Sequence, residues 1–252
     1  MNVKILASGS SGNCIHIQSG KTGILIDAGL PKTKIEKRLL ENDIDPTKIK
    51  AIFITHAHAD HVKGLPLANK YKIPVYAGEG EWKNINTVDD DLCRFITKHS
   101  GAYTVVDLGE IKLSPFRTHH DAYEPLGYAI EDCSGKRCCV VLDTGKVDDD
   151  MLKMMEGSSI FIVEANHDPD MVEMSNYPNS VKGRILSHIG HLSNDQTVEA
   201  LKRLVKGRGE HIYLTHLSNN NNLPALAEAT VKRALSRKGF NEGTHYHLEV
   251  IA

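Results

Sequence analysis

Four side chains of ligand type crowd into six residues of this chain: His56, His58, Asp60 and His61, within the string AIFITHAHADH at residues 51–61. The apolar, β-prone run at 51–54 stops where they begin, as in a buried strand that delivers its C-terminal end to a site. Imidazole suits zinc, iron and manganese, and a carboxylate among the imidazoles shifts the preference toward harder, oxygen-tolerant ions. Positions 56, 58 and 60, with a fourth group at 61, do not close easily on one ion, because adjacent side chains of a turn point apart. His56 with His58, and Asp60 with His61, are therefore read as serving two neighbouring metals. A polar turn with coincidental histidines is the competing reading, and the density of the motif weighs against it.

Other groups of the same kind close strand-like runs further along. His119 and His120 end a strand in RTHHDAYEPLGY at 117–128, and Asp143 ends the run 137–142. Glu164 and His167 follow the run 159–163 in EANHD, His191 lies in GHLS ahead of a helix, and His216 closes 211–215 in YLTHLSNNNNLP. Taken singly, each is equally well explained as a polar residue at a strand end or helix start.

The elements that must position these groups read as mixed α/β. Strands are expected at 3–7, 14–18, 23–26, 74–77, 103–107, 111–116, 127–131 and 246–251, besides those already named. Helices are expected at 31–42, 62–70, 148–156, around 171–174, and at 179–187, 194–206 and 224–237, with 78–95 helical with loops. Ser193 is a sensible N-cap for the helix that carries Val198, Leu201, Leu204 and Val205 on its apolar side. The loop SGSSGN at 8–13 offers hydroxyls and backbone N–H groups to a phosphate, or is a tight turn in which glycine supplies positive φ. Lys32, Lys34, Lys37 and Arg38 make a basic helix face, either solvated surface or contacts for a phosphate backbone.

At 252 residues, 40% hydrophobic and 25% charged, the chain fits one large globular α/β domain over 1–252. No apolar run reaches the length of a membrane span, and the start MNVKILASGS lacks a secretory core. A cytoplasmic protein without a membrane partner is expected. Five cysteines with no repeated CxxC spacing point to buried, reduced thiols rather than disulfides or structural zinc. With a net charge of −2, any grip on nucleic acid must come from local patches.

The HxHxDH string after an apolar strand resembles the signature of the metallo-β-lactamase superfamily. SGSSGN, THAHADH, HHDAYEPLGY, LDTG, EANHD, GHLSN and HLSNNNN, in that order over nearly the whole chain, resemble its YycJ/WalJ group of bacterial nucleases. The resemblance implies a four-layered αββα sandwich with a dinuclear metal site at one edge of the two sheets. It implies that His120 (with His119 as fallback) joins His56 and His58 on one metal, that His216 joins Asp60 and His61 on the other, and that Asp143 and a hydroxide bridge the two. The cofactors are then two divalent ions per chain, manganese or zinc. Asp27, in the segment DAG, would orient the histidine loop.

EANHD and GHLS also resemble segments of the tRNA 3′-processing nucleases, which implies that His191, Glu164 and His167 sit near a scissile phosphate. His191 or His167 would then protonate the leaving group, with Asp60 counted among the catalytic groups. The TPGH context of lactamases and thioesterases is missing, and the interval from Asp143 to His216 is too short for a β-CASP insertion. What the resemblance implies is a metal-dependent phosphodiesterase, a 5′-to-3′ DNA exonuclease. The alternative is a small-molecule hydrolase of a cyclic phosphodiester or thioester. Ser8, Ser10, Ser11, Asn13 and Asn219 are candidates for a 5′-phosphate, and Lys32, Lys34, Lys182 and Arg184 for the DNA backbone.

Overall fold

Strands covered on both faces are written as continuous apolar runs, and the central strands of this chain are of that kind. The computed structural model describes residues 1–251, which form two large sheets, one two-stranded sheet and two compact units. The first unit comprises Met1–Pro115, Ala122–Leu126 and Glu131–Gly135. Its six-stranded sheet has β1 (Asn2–Ala7), β2 (Cys14–Ser19), β3 (Thr22–Ile26), β4 (Ile49–Phe53), β5 (Val75–Gly78) and β6 (Cys93–Ile96) in sequence order. β1 to β3 pair antiparallel, and β3 to β6 pair parallel. Helices α1 (Lys32–Glu41), α2 (Ala59–Val62) and α3 (Pro66–Tyr71) belong to this unit, whose core gathers Leu25, Ile35, Leu39, Ile52 and Leu67. A two-stranded hairpin, β7 (Lys98–His99) with β8 (Ala102–Tyr103), stands apart from the sheet.

Two expectations fail here for identifiable reasons. The helix expected over 62–70 is broken between α2 and α3. The Gly64 amide donates to the Ala28 carbonyl at 2.6 Å, and a Cβ on Gly64 would lie 2.2 Å from the Leu30 carbonyl oxygen. Pro66 then starts a new helix, because its ring cannot continue the old one. The stretch 78–95 is not chiefly helical: it holds short 3-10 turns at Glu79–Lys83 and Asp90–Leu92 and ends in β6. Pairing with the open edge of β5 overrides local preference there.

The second sheet has seven strands in the order β15-β14-β13-β12-β11-β10-β9: β9 (Val106–Asp107), β10 (Ile111–Arg117), β11 (Leu126–Asp132), β12 (Arg137–Val141), β13 (Ile160–Glu164), β14 (Glu210–Thr215) and β15 (Tyr246–Val250). The second unit takes Phe116–Asp121, Gly127–Ile130 and the chain from Lys136 onward. Within it β12 to β15 run parallel, in register Val141↔Val163 and Glu164↔Thr215. Its helices are α4 (Asp149–Met155), α5 (Pro169–Met174), α6 (Asn179–Ile185), α7 (Asn194–Leu204) and α8 (Pro224–Arg237). Phe161, Val163, Leu201, Leu214, Val231 and Leu235 share one core. Ser193 caps α7 as expected, in a reciprocal capping box with Gln196.

No helix among the described residues is long and apolar enough to cross a membrane. All five cysteines are unpaired. Cys14, Cys138 and Cys139 are buried, which pushes their thiols up and makes them inert, whereas Cys133 is exposed.

Candidate metal centre

In the first unit the site grows from the carboxyl ends of the parallel strands β3 and β4, the usual place for ligands in parallel sheets. Asp27 follows β3 with φ 60°, a left-handed conformation that aspartate tolerates better than most residues. Its fully buried carboxylate accepts the Thr55 amide and hydroxyl, each at 2.8 Å, and meets His61 Nδ1 at 2.7 Å. Burial pushes the Asp27 carboxyl up, while His61 and Thr55 pull the other way. His56 Nε2 and His58 Nδ1 converge to 2.9 Å.

The close fit of this loop depends on Gly29, where a Cβ would lie 1.7 Å from the Asp60 carbonyl oxygen and 2.5 Å from the Asn13 amide nitrogen. Gly29→Ala is expected to destabilise the protein by about 3 kcal/mol, since overpacked backbone has no side chain to yield. Urea unfolding of the metal-stripped protein checks this, and an unchanged midpoint would refute it.

In the second unit three neighbouring parallel strands deliver Asp143 (after β12), Glu164 (the last residue of β13) and His216 (after β14). His216 has φ 55°, a second strand-end residue held in the left-handed region. Asp143, Glu164, His191 and His216 offer ligand atoms within 4.8 Å of one another. Glu164 is fully buried and serves four partners. One oxygen meets His191 Nδ1 at 2.6 Å and His216 Nδ1 at 2.9 Å; the other accepts the amides of Thr144 at 3.2 Å and Leu192 at 3.1 Å. Burial alone would raise its pKa, but the charge and hydrogen bond of His191, with the bond from His216, bring it down to about 2. For His191, burial works downward and is outweighed by Glu164, so its pKa is raised.

His120 is buried, with Nδ1 3.0 Å from the Gly190 carbonyl oxygen and Nε2 3.5 Å from Asp143 Oδ2. His119 points elsewhere: its Nε2 lies 2.6 Å from Asp148, the carboxylate that caps α4. His167 is buried, which lowers its pKa to about 4, and its Nδ1 has no hydrogen-bond partner.

The phosphate candidates divide. Ser10, Ser11 and Asn219 are exposed and Ser8 is half-buried. Asn13 is buried and committed: its Oδ1 accepts the Gly9 amide at 2.9 Å and its Nδ2 lies 3.2 Å from His61 Nε2. Lys182 and Arg184 are also engaged, the first donating to the Glu173 carbonyl and the second to Asp121, each at 2.6 Å. Sequence reasoning passed over Glu81, a buried carboxylate that accepts the amide of Ala57, between His56 and His58. Its segment carries no ligand motif, and the contact exists only through folding.

The β-lactamase superfamily domain profile matches residues 22–217. The chain is 35% identical over 252 residues to exodeoxyribonuclease YycJ of Bacillus anthracis, covering 98% of this chain and 94% of that one. It is 36% identical over 249 residues to exodeoxyribonuclease WalJ of Streptococcus pneumoniae strain D39, covering 96% and 91%. The chain belongs to the metallo-β-lactamase superfamily, in the YycJ/WalJ group. Among solved structures, the metallo-β-lactamase-fold protein YhfI of Bacillus subtilis aligns with a TM-score of 0.71 at 15% identity, covering 98% of this chain and 95% of that one. The αββα fold class expected from the sequence holds.

Membership of the metallo-β-lactamase superfamily makes the chain a metal-dependent hydrolase, and its His/Asp clusters fit divalent cations. Nδ1 of His61 faces a carboxylate, Nδ1 of His120 a carbonyl, and Nδ1 of His216 both Asp143 and Glu164. A proton on each Nδ1 makes Nε2 the basic nitrogen, the arrangement by which outer carboxylates and carbonyls orient metal-binding imidazoles. The convergent nitrogens of His56 and His58 likewise suit a shared cation.

Proposed function

We propose that the chain is a nuclease that removes nucleotides from the 5′ ends of DNA. On this reading two divalent cations would take part: His56, His58 and His120 would hold one, Asp60, His61 and His216 the other, and Asp143 would serve both. The reading draws on the near full-length likeness to exodeoxyribonucleases YycJ and WalJ. The observation that supports it is that Nδ1 of His61, His120 and His216 each faces a protein oxygen, so that Nε2 is the nitrogen each ring would offer a cation.

When bound, the cations supply positive charge to the phosphoryl oxygens and acidify water. The rest falls to protein groups. Glu164 grips His191 Nδ1 and favours the protonated imidazole, whose other nitrogen would deliver a proton to the leaving oxygen. Asp27 holds the His61 ring through Nδ1, and the Asn13 backbone amide donates to the Asp60 carbonyl at 2.8 Å, so both fix the histidine loop. Exposed Ser10 and Ser11, in the loop that leads to Asn13, receive the terminal 5′-phosphate. Replacing both serines by alanine is expected to reduce the preference for 5′-phosphate over 5′-hydroxyl ends roughly tenfold, the worth of one or two hydrogen bonds. Competition between the two ends in one reaction measures it, and an undiminished preference removes the pocket.

The deciding experiment strips the protein, reloads it with manganese or zinc, and offers 5′-phosphorylated and 5′-hydroxyl duplex DNA. Progressive loss of nucleotides from 5′-phosphate ends supports the proposal and identifies the working ion. No degradation with either ion, together with turnover of a small chromogenic phosphodiester, overturns it in favour of a small-molecule hydrolase.

A further inference from the structure

Glu81 lies in the turn that follows β5, on the same carboxyl side of the sheet as the histidine loop, and is 1% exposed. Its Oε2 accepts the Ala57 amide at 2.7 Å, and its Oε1 accepts the Glu124 amide at 2.5 Å. Ala57 separates His56 from His58, and Glu124 lies four residues beyond His120 in the chain. The clasp is reciprocal, because the Glu124 carboxylate accepts the Gly80 amide at 2.9 Å. Glycines make the approach possible: a Cβ on Gly78 would lie 2.9 Å from the Glu124 carbonyl oxygen, and one on Gly80 would lie 3.1 Å from Tyr123 Cβ.

Two backbone donors facing two oxygens demand an acceptor-only group, which a carboxylate is and an amide is not. Glu81 makes no ion pair among the described residues, its partners being these two amides alone. A carboxylate buried without a cation is costly, and buried charges are ordinarily paired or set at a metal. Here the residues on either side of its Ala57 partner are two histidines whose nitrogens converge.

We propose that Glu81 is a positioning residue for the metal loop, and that its charge is balanced by the divalent cation held by His56 and His58. This rests on the metal reading of the site. It predicts thermodynamic coupling between Glu81 and metal, which a purely structural buried residue does not have.

The test compares the natural protein with Glu81→Gln, each stripped and each loaded with zinc or manganese. Metal affinity is read by competition with a chromogenic chelator, and unfolding midpoints are read in both states. Glu81→Gln is expected to weaken metal binding about 10- to 100-fold, and loading should raise the natural protein's midpoint more than the variant's. Unchanged affinity, with equal loss of stability in stripped and loaded states, overturns the inference while leaving the nuclease reading intact. If the natural protein binds neither ion, both fall together. Should Glu81→Gln not fold, amide exchange of Ala57 and Glu124 in the natural protein decides. Protection of both that rises on loading supports the coupling, and protection indifferent to metal overturns it.

Discussion

Asp143→Ala is expected to lower DNA degradation by roughly a thousandfold or more, the scale reached when a group that organises transition-state charge is deleted. Asp143 is 4% exposed, stands at the carboxyl end of β12, and places one oxygen 3.0 Å from His216 Nδ1 and the other 3.5 Å from His120 Nε2. No other carboxylate in the chain is proposed to hold both cations, so nothing substitutes for it. The stripped variant should nonetheless unfold within about 1 kcal/mol of the natural protein, because deletion relieves a buried anion near Glu164 as it removes contacts. Single-turnover cleavage of 5′-phosphorylated DNA, beside urea unfolding of the stripped proteins, separates the two effects. Activity within tenfold of the natural protein would remove Asp143 from the centre.

Glu164→Gln acts one layer further out, and three readouts move together. Cleavage should fall about 10- to 100-fold, because His191 and His216 lose the carboxylate that orients them. The alkaline limb of the pH–rate profile should shift to lower pH: Glu164 is what raises His191, and a neutral amide lets the imidazole lose its proton earlier. The third readout is the acid stability of the stripped protein. The Glu164 carboxyl is depressed from 4.5 to about 2 in the fold, against burial, by His191 and His216. A depressed carboxyl contributes stability that is present above its unfolded value and lost as pH falls through the folded value. The natural protein should therefore lose on the order of 3 kcal/mol between about pH 4.5 and pH 2. His191, with its pKa raised, contributes stability that is full below the ordinary histidine value and lost as pH rises through the raised one. Glu164→Gln should flatten both slopes. An alkaline limb that stays in place would show that His191 is not the acid.

The chain's own letters determined the ends of its central strands and the groups standing there. The apolar runs at 51–54, 138–142 and 212–214 give way within two residues to histidine or aspartate, and both the run and the stop are local features. They became the parallel strands β4, β12 and β14, whose carboxyl ends carry His56, Asp143 and His216. The cap at Ser193 was legible for the same reason, since a capping box closes within four residues.

Tertiary structure alone decided which carboxylates stand behind the imidazoles. Glu164 meets His191 and His216 across 27 and 52 residues of chain, and Glu81 meets the Ala57 amide across 24. No periodicity records such distances. His119 and His120 are adjacent, identical in type and equally placed in sequence, yet one turns to Asp148 and the other to the Gly190 carbonyl. The expected helix at 62–70 failed because Gly64 packs against the backbone of Ala28 and Leu30, and 78–95 ended in a strand because β5 offered an open edge. Strand ends are written by local burial, whereas the partners that hold each ring are chosen by packing between distant segments.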